Sequence, residues 1–220
     1  MKNLKRFLII VFSLLLCVFI FLKFVDRPNL KPVKGQIKNI DLNGIDNLMI
    51  VSHPGDESVF GGADLSKYNY LVVCVSCGYN KNMEDKFIKA MDISRDRFIM
   101  MGYSDKLYTS GDIKKIKKQL VYILNYKRWN KVVTHNLNGE YGNYQHIQIS
   151  KTVSNLYDDV YYFGKYYDKK TASRIDKDIK IDKQIMSNKI NMVKVYGHIY
   201  NDYEHILPYE QFVRGSRWKS

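Results

Sequence analysis

The chain has 220 residues, of which 45% are hydrophobic, and a formal net charge of +13. This length and composition suit one sizeable globular core and exclude a disordered chain, a collagen and a repeat array. A basic protein can bind nucleic acid, but the first predicted element makes anionic lipids or wall polymers better partners. The alternative is that the lysines are simply spread over a solvated surface and bind no anionic partner. We therefore expect no nucleic-acid partner.

An apolar run at residues 7–22 carries no charge and follows a basic N-terminus. A membrane span needs roughly 17–25 residues, and the run reaches that length if Lys23 snorkels. The sequence thus predicts a single-pass membrane anchor at residues 1–25, with the remaining chain outside the cytoplasm by the positive-inside rule. A cleaved signal peptide is the alternative, although no small-x-small cleavage site follows the run.

Residues 26–46 are polar and basic and contain several breakers, so they predict a linker with an optional short strand at 37–40. Residues 47–220 predict one α/β domain. Apolar β-type runs predict strands at 48–52, 70–76, 97–101, 131–134 and 160–163. Helical patterns predict helices at 83–94, 112–125, 146–157 and 182–196. This alternation is typical of a Rossmann-like three-layer sandwich with a mostly parallel sheet.

The segment His53-Pro54-Gly55-Asp56-Glu57 follows the first predicted strand of the domain. A histidine and a carboxylate three residues apart, just past the carboxyl end of a strand, can both turn toward one divalent metal ion. Open α/β sheets bind their ligands at that edge. Both residues also have an ordinary interpretation: His53 as a hydrogen-bonded loop residue, and Asp56 as the cap of a helix that begins near Glu57.

A second polar segment, residues 135–146, follows the predicted strand at 131–134 and ends at His146, which would open the next helix. In a parallel sheet this segment emerges at the same edge as His53 and Asp56, so three ligands would converge. Two histidines, one carboxylate and an open position for water are typical of a catalytic zinc site. Such a metal polarises a carbonyl and lowers the pKa of its bound water. The alternative makes His146 an ordinary polar residue of its helix.

The chain resembles the PIG-L/LmbE-like family of zinc-dependent N-deacetylases in three motifs. The segment at 53–57 and the following Gly61-Gly62 are similar to the family's His-Pro-Asp-Asp-Glu and its glycine pair. The segment Gly102-Tyr103-Ser104-Asp105 is similar to Gly-Tyr-Pro-Asp, and residues 138–146 are similar to Asn-Gly-Glu-Tyr-Gly-His-x-x-His. The resemblance covers about residues 47–155.

Carried over position by position, the resemblance implies that His53, Asp56 and His146 hold zinc or another divalent metal. It also shows two departures from the family pattern. Gly55 stands where the family has its general base, and a glycine cannot accept a proton. Asn143 stands where the family has a histidine that helps to stabilise the tetrahedral intermediate, and an asparagine can donate a hydrogen bond but cannot act as an acid.

These departures affect the chemistry and leave the metal ligands intact. Acid–base help is worth roughly 10²–10⁴-fold in rate, and one oxyanion donor about 10²–10³-fold. Glu57, Glu140 and His135 are candidates to replace the base, although the family's residue at the position of Glu57 supports the site instead. Asp105 could contact substrate or orient a ligand. The candidate catalytic residues are therefore Asn143 and Glu57.

The resemblance implies a metal-dependent hydrolase that removes acetyl groups from N-acetylglucosamine-type sugars, and the apolar run at 7–22 predicts that this hydrolase is anchored in a membrane. With an outward-facing domain, the substrate would be an N-acetylated sugar, a glycolipid or a cell-wall glycan. Gly55 and Asn143 favour an alternative, a pseudoenzyme that binds metal and glycan without turnover. A third hypothesis is a basic surface-binding domain whose metal site is only structural.

Overall fold

The structure is a computed structural model that describes residues 2–25, 29–77, 80–105 and 107–218. The strands are β1 (Asn47–Val51), β2 (Tyr70–Cys74), β3 (Arg97–Met100), β4 (Lys131–Thr134), β5 (Val160–Phe163) and β6 (Phe212–Arg214). The helices are α1 (Lys2–Val25), α2 (Val33–Ile37), α3 (Asp56–Leu65), α4 (Lys81–Ser94), α5 (Ser110–Leu124), α6 (Gly139–Gly142), α7 (Tyr144–Ser154), α8 (Lys183–Val195) and α9 (His198–Tyr203).

The six strands form one sheet in the order β3-β2-β1-β4-β5-β6. All neighbouring strands are parallel except β6, which runs antiparallel to β5. Strand β1 is central, and its last residues pair with the ends of β2 and β4: Val51 with Cys74, and Ile50 with Thr134. The loops that leave β1 and β4 therefore emerge side by side at the carboxyl edge of the sheet.

Both faces of the sheet are covered, which makes the strands continuous apolar runs. Leu48 and Ile50 of β1 point into one core cluster, together with residues of α5 and α7. Met49 and Val51 alternate with them and enter a second cluster, together with residues of α4 and α8. The predicted α/β class with a mostly parallel sheet is confirmed, and the helices lie in layers on both sides.

The predicted strands agree with β1 to β5 to within two residues at each end, and the four predicted helices correspond to α4, α5, α7 and α8. Four of these helices and strands of the domain were not predicted as such: α3, which the sequence offered only as an alternative role for Asp56, the one-turn α6, the short α9 and the antiparallel β6. Three of these four, α3, α6 and α9, border the functional site.

The segment before β1 differs from the predicted linker over its described part, residues 29–46. Val33 and Ile37, one helical turn apart in α2, are buried in the core. The Gln36 side chain bonds the backbone of Met100 in both directions, at 2.8 and 3.2 Å. The helix replaces the optional strand at 37–40. Residues 26–28 lie outside the described residues.

Helix α1 spans the residues predicted to be a membrane anchor. Among the residues described, however, no helix meets the combined length and hydropathy needed to cross a bilayer. The predicted transmembrane helix is therefore without support from the structure.

Candidate metal centre and its pocket

The turn after β1 brings His53 and Asp56 together. The backbone N–H of His53 donates to Asp56 Oδ2 at 2.8 Å, and the N–H of Asp56 donates to the His53 carbonyl at 3.3 Å. Gly55 lies between them with φ +105° and ψ −29°, a left-handed conformation that favours glycine. Asp56 is the first residue of α3, so the turn fixes its carboxylate at the start of a helix.

The loop after β4 brings His146 to the same place. Asn143 is the N-cap of α7, and its side-chain oxygen accepts the N–H groups of Gln145 (2.9 Å) and His146 (3.3 Å). This cap fixes the first turn of α7, where His146 lies fully buried. The two loops thus place three potential ligands from sequence-distant segments in contact.

The three ligand atoms form a nearly equilateral triangle. Asp56 Oδ2 is 3.2 Å from His53 Nδ1 and 3.2 Å from His146 Nε2, and the two ring nitrogens are 3.1 Å apart. Ligands at about 2.0–2.1 Å from a tetrahedral zinc ion are separated by about 3.3 Å. The triangle therefore has the dimensions that a divalent ion with one open position requires.

Hydrogen bonds behind the triangle set the tautomers of both histidines. The far nitrogen of His53, Nε2, lies 2.9 Å from Gln145 Oε1, so it carries the proton and leaves Nδ1 free to bind metal. The far nitrogen of His146, Nδ1, lies 2.6 Å from Glu140 Oε2, which leaves Nε2 free. Carboxylate and amide partners of this kind orient metal-binding histidines and raise their basicity.

A second group, His135, Glu140 and His146, also lies within the dimensions of a metal site. His135 Nε2 accepts the backbone N–H of Ser52 at 2.9 Å, so its proton lies on Nδ1, which faces Glu140 Oε2 at 3.0 Å. A metal bound there would displace that proton to Nε2, where it would oppose the N–H of Ser52. This group is therefore the support of His146 and not a second metal site.

The histidines around the triangle stabilise the ionised form of the Asp56 and Glu140 carboxyl groups. Burial raises the pKa of Asp56, but His146, His53 and His135 outweigh it and hold the pKa well below the usual value. Burial lowers the pKa of His146, yet Asp56 and Glu140 more than offset it and raise the pKa to about 9. The Glu140 carboxyl likewise has a lowered pKa, because its two histidine partners outweigh its burial. Two ionised carboxylates therefore lie beside the candidate metal position.

Glu57, a predicted catalytic residue, points away from the triangle and is fully buried. Its Oε2 accepts the N–H of Gly55 at 2.9 Å, and its Oε1 accepts the hydroxyls of Ser58 (2.7 Å) and Tyr196 (2.8 Å). Burial raises its pKa to about 7. These contacts join the Gly55 turn to α8, so the structure gives Glu57 a supporting position and not that of a base.

Glu140 and His135, the other candidate bases, are committed to the support of His146. Glu140 Oε1 accepts the backbone N–H of Asn136 at 2.9 Å while Oε2 faces both histidines. Glu140 also has a positive φ of 56°, which is uncommon outside glycine and is typical of functional sites. None of these groups is available to take a proton from water in the pocket.

The triangle borders a cavity of about 340 Å³. Besides His53 and Asp56, its walls include Asp105, Tyr141, Asn143, His198, Asp202 and Tyr203. His198, Asp202 and Tyr203 all come from α9, which sequence reasoning missed because a six-residue helix near the C-terminus carries no motif. A histidine and an aspartate four residues apart were the only signal that could have indicated it.

A viral protein is similar to this chain in sequence. Uncharacterized protein L374 of Acanthamoeba polyphaga mimivirus is 31% identical over 188 residues, which cover 74% of this chain and 73% of the viral protein. The chain belongs to the L374 family. No family model matches the chain.

Comparison with solved structures shows that this chain has the LmbE/PIG-L fold. A hydratase from Pseudomonas putida KT2440, GalB, aligns with a TM-score of 0.59 and 15% identity over 74% of this chain and 84% of its own. The N,N'-diacetylchitobiose deacetylase of Pyrococcus horikoshii aligns at 0.58 and 12% over 81% and 88%. A deacetylase of teicoplanin biosynthesis aligns at 0.56 and 14% over 78% and 99%. At such low identities the likeness concerns the fold.

Proposed function

We propose that this protein is a metal-dependent amide hydrolase that removes acetyl groups from N-acetylated sugars of the N-acetylglucosamine type. The ligand triangle of His53, Asp56 and His146 carries the proposal, because its dimensions and tautomers suit a catalytic metal site open on one side. Deacetylases among the proteins of the same fold support this reaction over others, although the hydratase GalB shows that the fold accommodates a second chemistry.

His53, Asp56 and His146 would hold the ion, with zinc as the first candidate. A divalent ion held there would supply Lewis-acid polarisation of a carbonyl and would lower the pKa of a bound water. Gln145 and Glu140 hold the two histidines in the required tautomers. Glu57 keeps the Gly55 turn in place from behind. These residues therefore set the geometry of the site before any substrate enters.

Donors to the developing oxyanion would come from Tyr141 and Asn143, which both line the cavity. The Tyr141 ring packs edge-on against His146, with ring centroids 5.5 Å apart. Burial raises the pKa of the Tyr141 hydroxyl, so it remains protonated and able to donate. A neutral donor in a partly desolvated cavity stabilises an oxyanion effectively.

The proton acceptor would come from α9, as His198. Glu57, Glu140 and His135 are bound elsewhere, whereas His198 lines the cavity and is exposed. Histidine is the side chain that most often acts as a general base. Helix α9 would thereby supply the function for which position 55 has no side chain.

A second candidate function, metal and glycan binding without turnover, is favoured by the packing at Gly55. Ile199 and Tyr196 fill the space that a side chain at this position would occupy. Such a protein would retain the ligand triangle and the cavity while lacking hydrolysis. The two candidates make opposite predictions for acetate release.

The test is metal analysis of the full chain followed by an acetate-release assay on N,N'-diacetylchitobiose with zinc. We expect about one zinc per chain, acetate release, and loss of both in His146→Ala. His205→Ala is the matched control, because His205 contacts the Tyr167 carbonyl away from the triangle and should leave both intact. Bound zinc without acetate release would support the second candidate, and a parent without zinc would contradict both.

We also propose a membrane location for the chain, with the domain outside the cytoplasm. The uncharged run at 7–22, which follows a basic N-terminus, supports this. Fractionation tests it: the protein should stay with membranes in alkaline carbonate, and deletion of residues 2–25 should release it. Recovery of the intact chain in the soluble fraction would contradict the proposal.

A further inference from the structure

An apolar groove of about 400 Å³ lies on the side of the domain formed by α2 and α5. It shares no lining residue with the cavity beside the metal triangle. Its walls are apolar, with contributions from Leu30, Pro32, Val33, Tyr103 and Tyr122. Its volume is within the range of about 300–1,000 Å³ that small-molecule sites occupy.

The polar groups beneath the groove bond to one another. Gln119 accepts the backbone N–H of Val33 at 3.0 Å and donates to the Tyr103 hydroxyl at 3.1 Å. The Gln36 amide binds the carbonyls of Lys31 and Met100. With these groups already bonded, the interior of the groove is suited to hydrocarbon rather than to a sugar or a nucleotide.

Lysines surround the apolar interior. Lys34, Lys115 and Lys118 line the groove and are exposed, and within the described part of the chain none of them pairs with a carboxylate. Lys31 differs, because its ammonium contacts Glu84 at 2.6 Å. Aliphatic lysine stems can cover apolar surface while their charged ends remain in water. The rim is therefore cationic, and no carboxylate among the described residues pairs with these three lysines.

We propose that this groove binds a single-chain lipid with an anionic headgroup, with the alkyl chain in the apolar interior and the phosphate or carboxylate among Lys34, Lys115 and Lys118. The apolar interior and the cationic rim together select this ligand. A lysine surface alone would offer no cavity for an alkyl chain. An apolar cavity alone would not distinguish an anionic headgroup from a cationic one. The volume accommodates one alkyl chain and not a bilayer surface.

Photo-crosslinking of the full chain tests the proposal. The probe is a dodecyl phosphate with a diazirine near the end of its chain, used below its critical micelle concentration. We expect crosslinks in peptides that contain Leu30, Val33 or Tyr122. Excess dodecyl phosphate should compete, whereas inorganic phosphate and dodecyltrimethylammonium should not. Crosslinks spread over the surface, or competition by the cationic surfactant, would overturn the proposal.

Two variants test separately where the alkyl chain and the anionic headgroup bind. Leu30→Glu places a charge in the apolar wall, and the combination Lys34→Gln, Lys115→Gln and Lys118→Gln removes the cationic rim. Each should reduce crosslinking at least tenfold with an unchanged thermal unfolding midpoint. The matched control replaces three exposed lysines outside the groove, Lys67, Lys89 and Lys151, by glutamine and should leave crosslinking unchanged.

A further arm distinguishes a monomeric lipid from a membrane surface. Competition by phosphatidylglycerol vesicles but not by monomeric dodecyl phosphate would show that the lysines bind a bilayer, and it would overturn the single-chain proposal. Equal losses in the glutamine control and in the rim variant would also contradict it, because the effect would then depend only on net charge.

Discussion

The Cδ1 atom of Ile199 lies 2.8 Å from the position that a Cβ atom on Gly55 would occupy. The Tyr196 ring lies within 3.8 Å of the same point. Helix α9 and the end of α8 therefore fill the space beside the turn, and φ at Gly55 is +105°. A side chain at position 55 would therefore require the end of the Ile199 side chain to leave its present position.

This relationship predicts that Gly55→Asp alone destabilises the protein. The left-handed backbone adds strain of about 1–3 kcal/mol, and the contact with Ile199 adds to it. Gly55→Asp with Ile199→Ala should recover part of the unfolding midpoint, since the clash is removed. Thermal unfolding of the two variants and of Ile199→Ala alone measures this. Equal stability of Gly55→Asp and the parent protein would contradict the prediction, because it would show that the turn and the Ile199 side chain adjust without cost.

The second prediction concerns Glu140, which bonds Nδ1 of His146 at 2.6 Å. Glu140→Gln keeps the size of the side chain but removes the charge that orients the ligand, so metal affinity should fall about 10–100-fold. Competition with a chelator measures the affinity. Glu204→Gln, at an exposed position on the Tyr200 side of α9, is the control and should bind metal like the parent. An unchanged metal affinity in Glu140→Gln would show that Glu140 does not support the metal site through His146.

The third prediction separates the proposed base from the metal site. His198→Gln should lower kcat about 10²–10⁴-fold while the metal content stays constant, because His198 belongs to neither ligand nor support. Added imidazole should restore part of the rate. His205→Gln serves as the control. A comparable loss in Asp202→Asn with no effect in His198→Gln would assign the base to Asp202.

The fourth prediction concerns the attachment of the C-terminal segment. The buried Lys189 ammonium contacts Glu210 at 2.8 Å, and Glu210 also accepts the N–H groups of Ala63 and Asp64 in α3. Lys189→Ala leaves the Glu210 charge uncompensated and should reduce the free energy of unfolding by about 3–5 kcal/mol. Urea unfolding measures the change. Lys183→Ala, exposed on the same helix, should change it by less than about 0.5 kcal/mol.

The fifth prediction concerns stability against pH. Burial raises the pKa of Asp96 from its ordinary 3.8 to about 7, so the folded state binds more protons than the unfolded state between these values. Stability should therefore decrease as the pH rises from about 4 to 7. Asp96→Asn keeps an acceptor for the Tyr70 N–H (2.8 Å) and should flatten the profile. Because the pKa of Glu57 is also raised to about 7, Glu57 contributes a decrease in stability with rising pH that remains in Asp96→Asn.

Thermal unfolding at pH 5 and pH 8 checks this last prediction. The parent should be more stable at pH 5 relative to Asp96→Asn than at pH 8. A stability difference between the parent and Asp96→Asn that does not fall from pH 5 to pH 8 would contradict the assigned shift.

The strands of the sheet could be predicted because buried parallel strands are continuous apolar runs bounded by polar loops. Helix α3 could not, since Gly61 and Gly62 weaken the helical pattern. Tertiary packing explains both glycines: a Cβ at Gly61 would lie 2.5 Å from Met49 Cε, and one at Gly62 would lie 2.8 Å from Lys189 Cγ. Strand β6 has three residues and no buried one, so it shows no pattern.

The ligand triangle could be predicted because each ligand follows a strand end and the parallel topology brings those ends together. The position of Glu57 could not. Adjacent residues on a helix point about 100° apart, so Asp56 and Glu57 in the first turn of α3 face different surroundings. The residues that α9 adds to the cavity could not be predicted either, because their position depends on how the last helices pack against the Gly55 turn. No local sequence pattern indicates that packing.

The hydrogen bond from the Ser52 backbone to His135 joins the loops after β1 and β4 across 83 residues of sequence without involving any ligand atom. The conformational entropy of bringing those loops together is therefore lost when the chain folds and not when an ion binds. Metal binding should then resemble the occupation of a rigid chelator: rapid to equilibrate, with a small change in heat capacity. The availability of metal would control activity without controlling the abundance of folded protein.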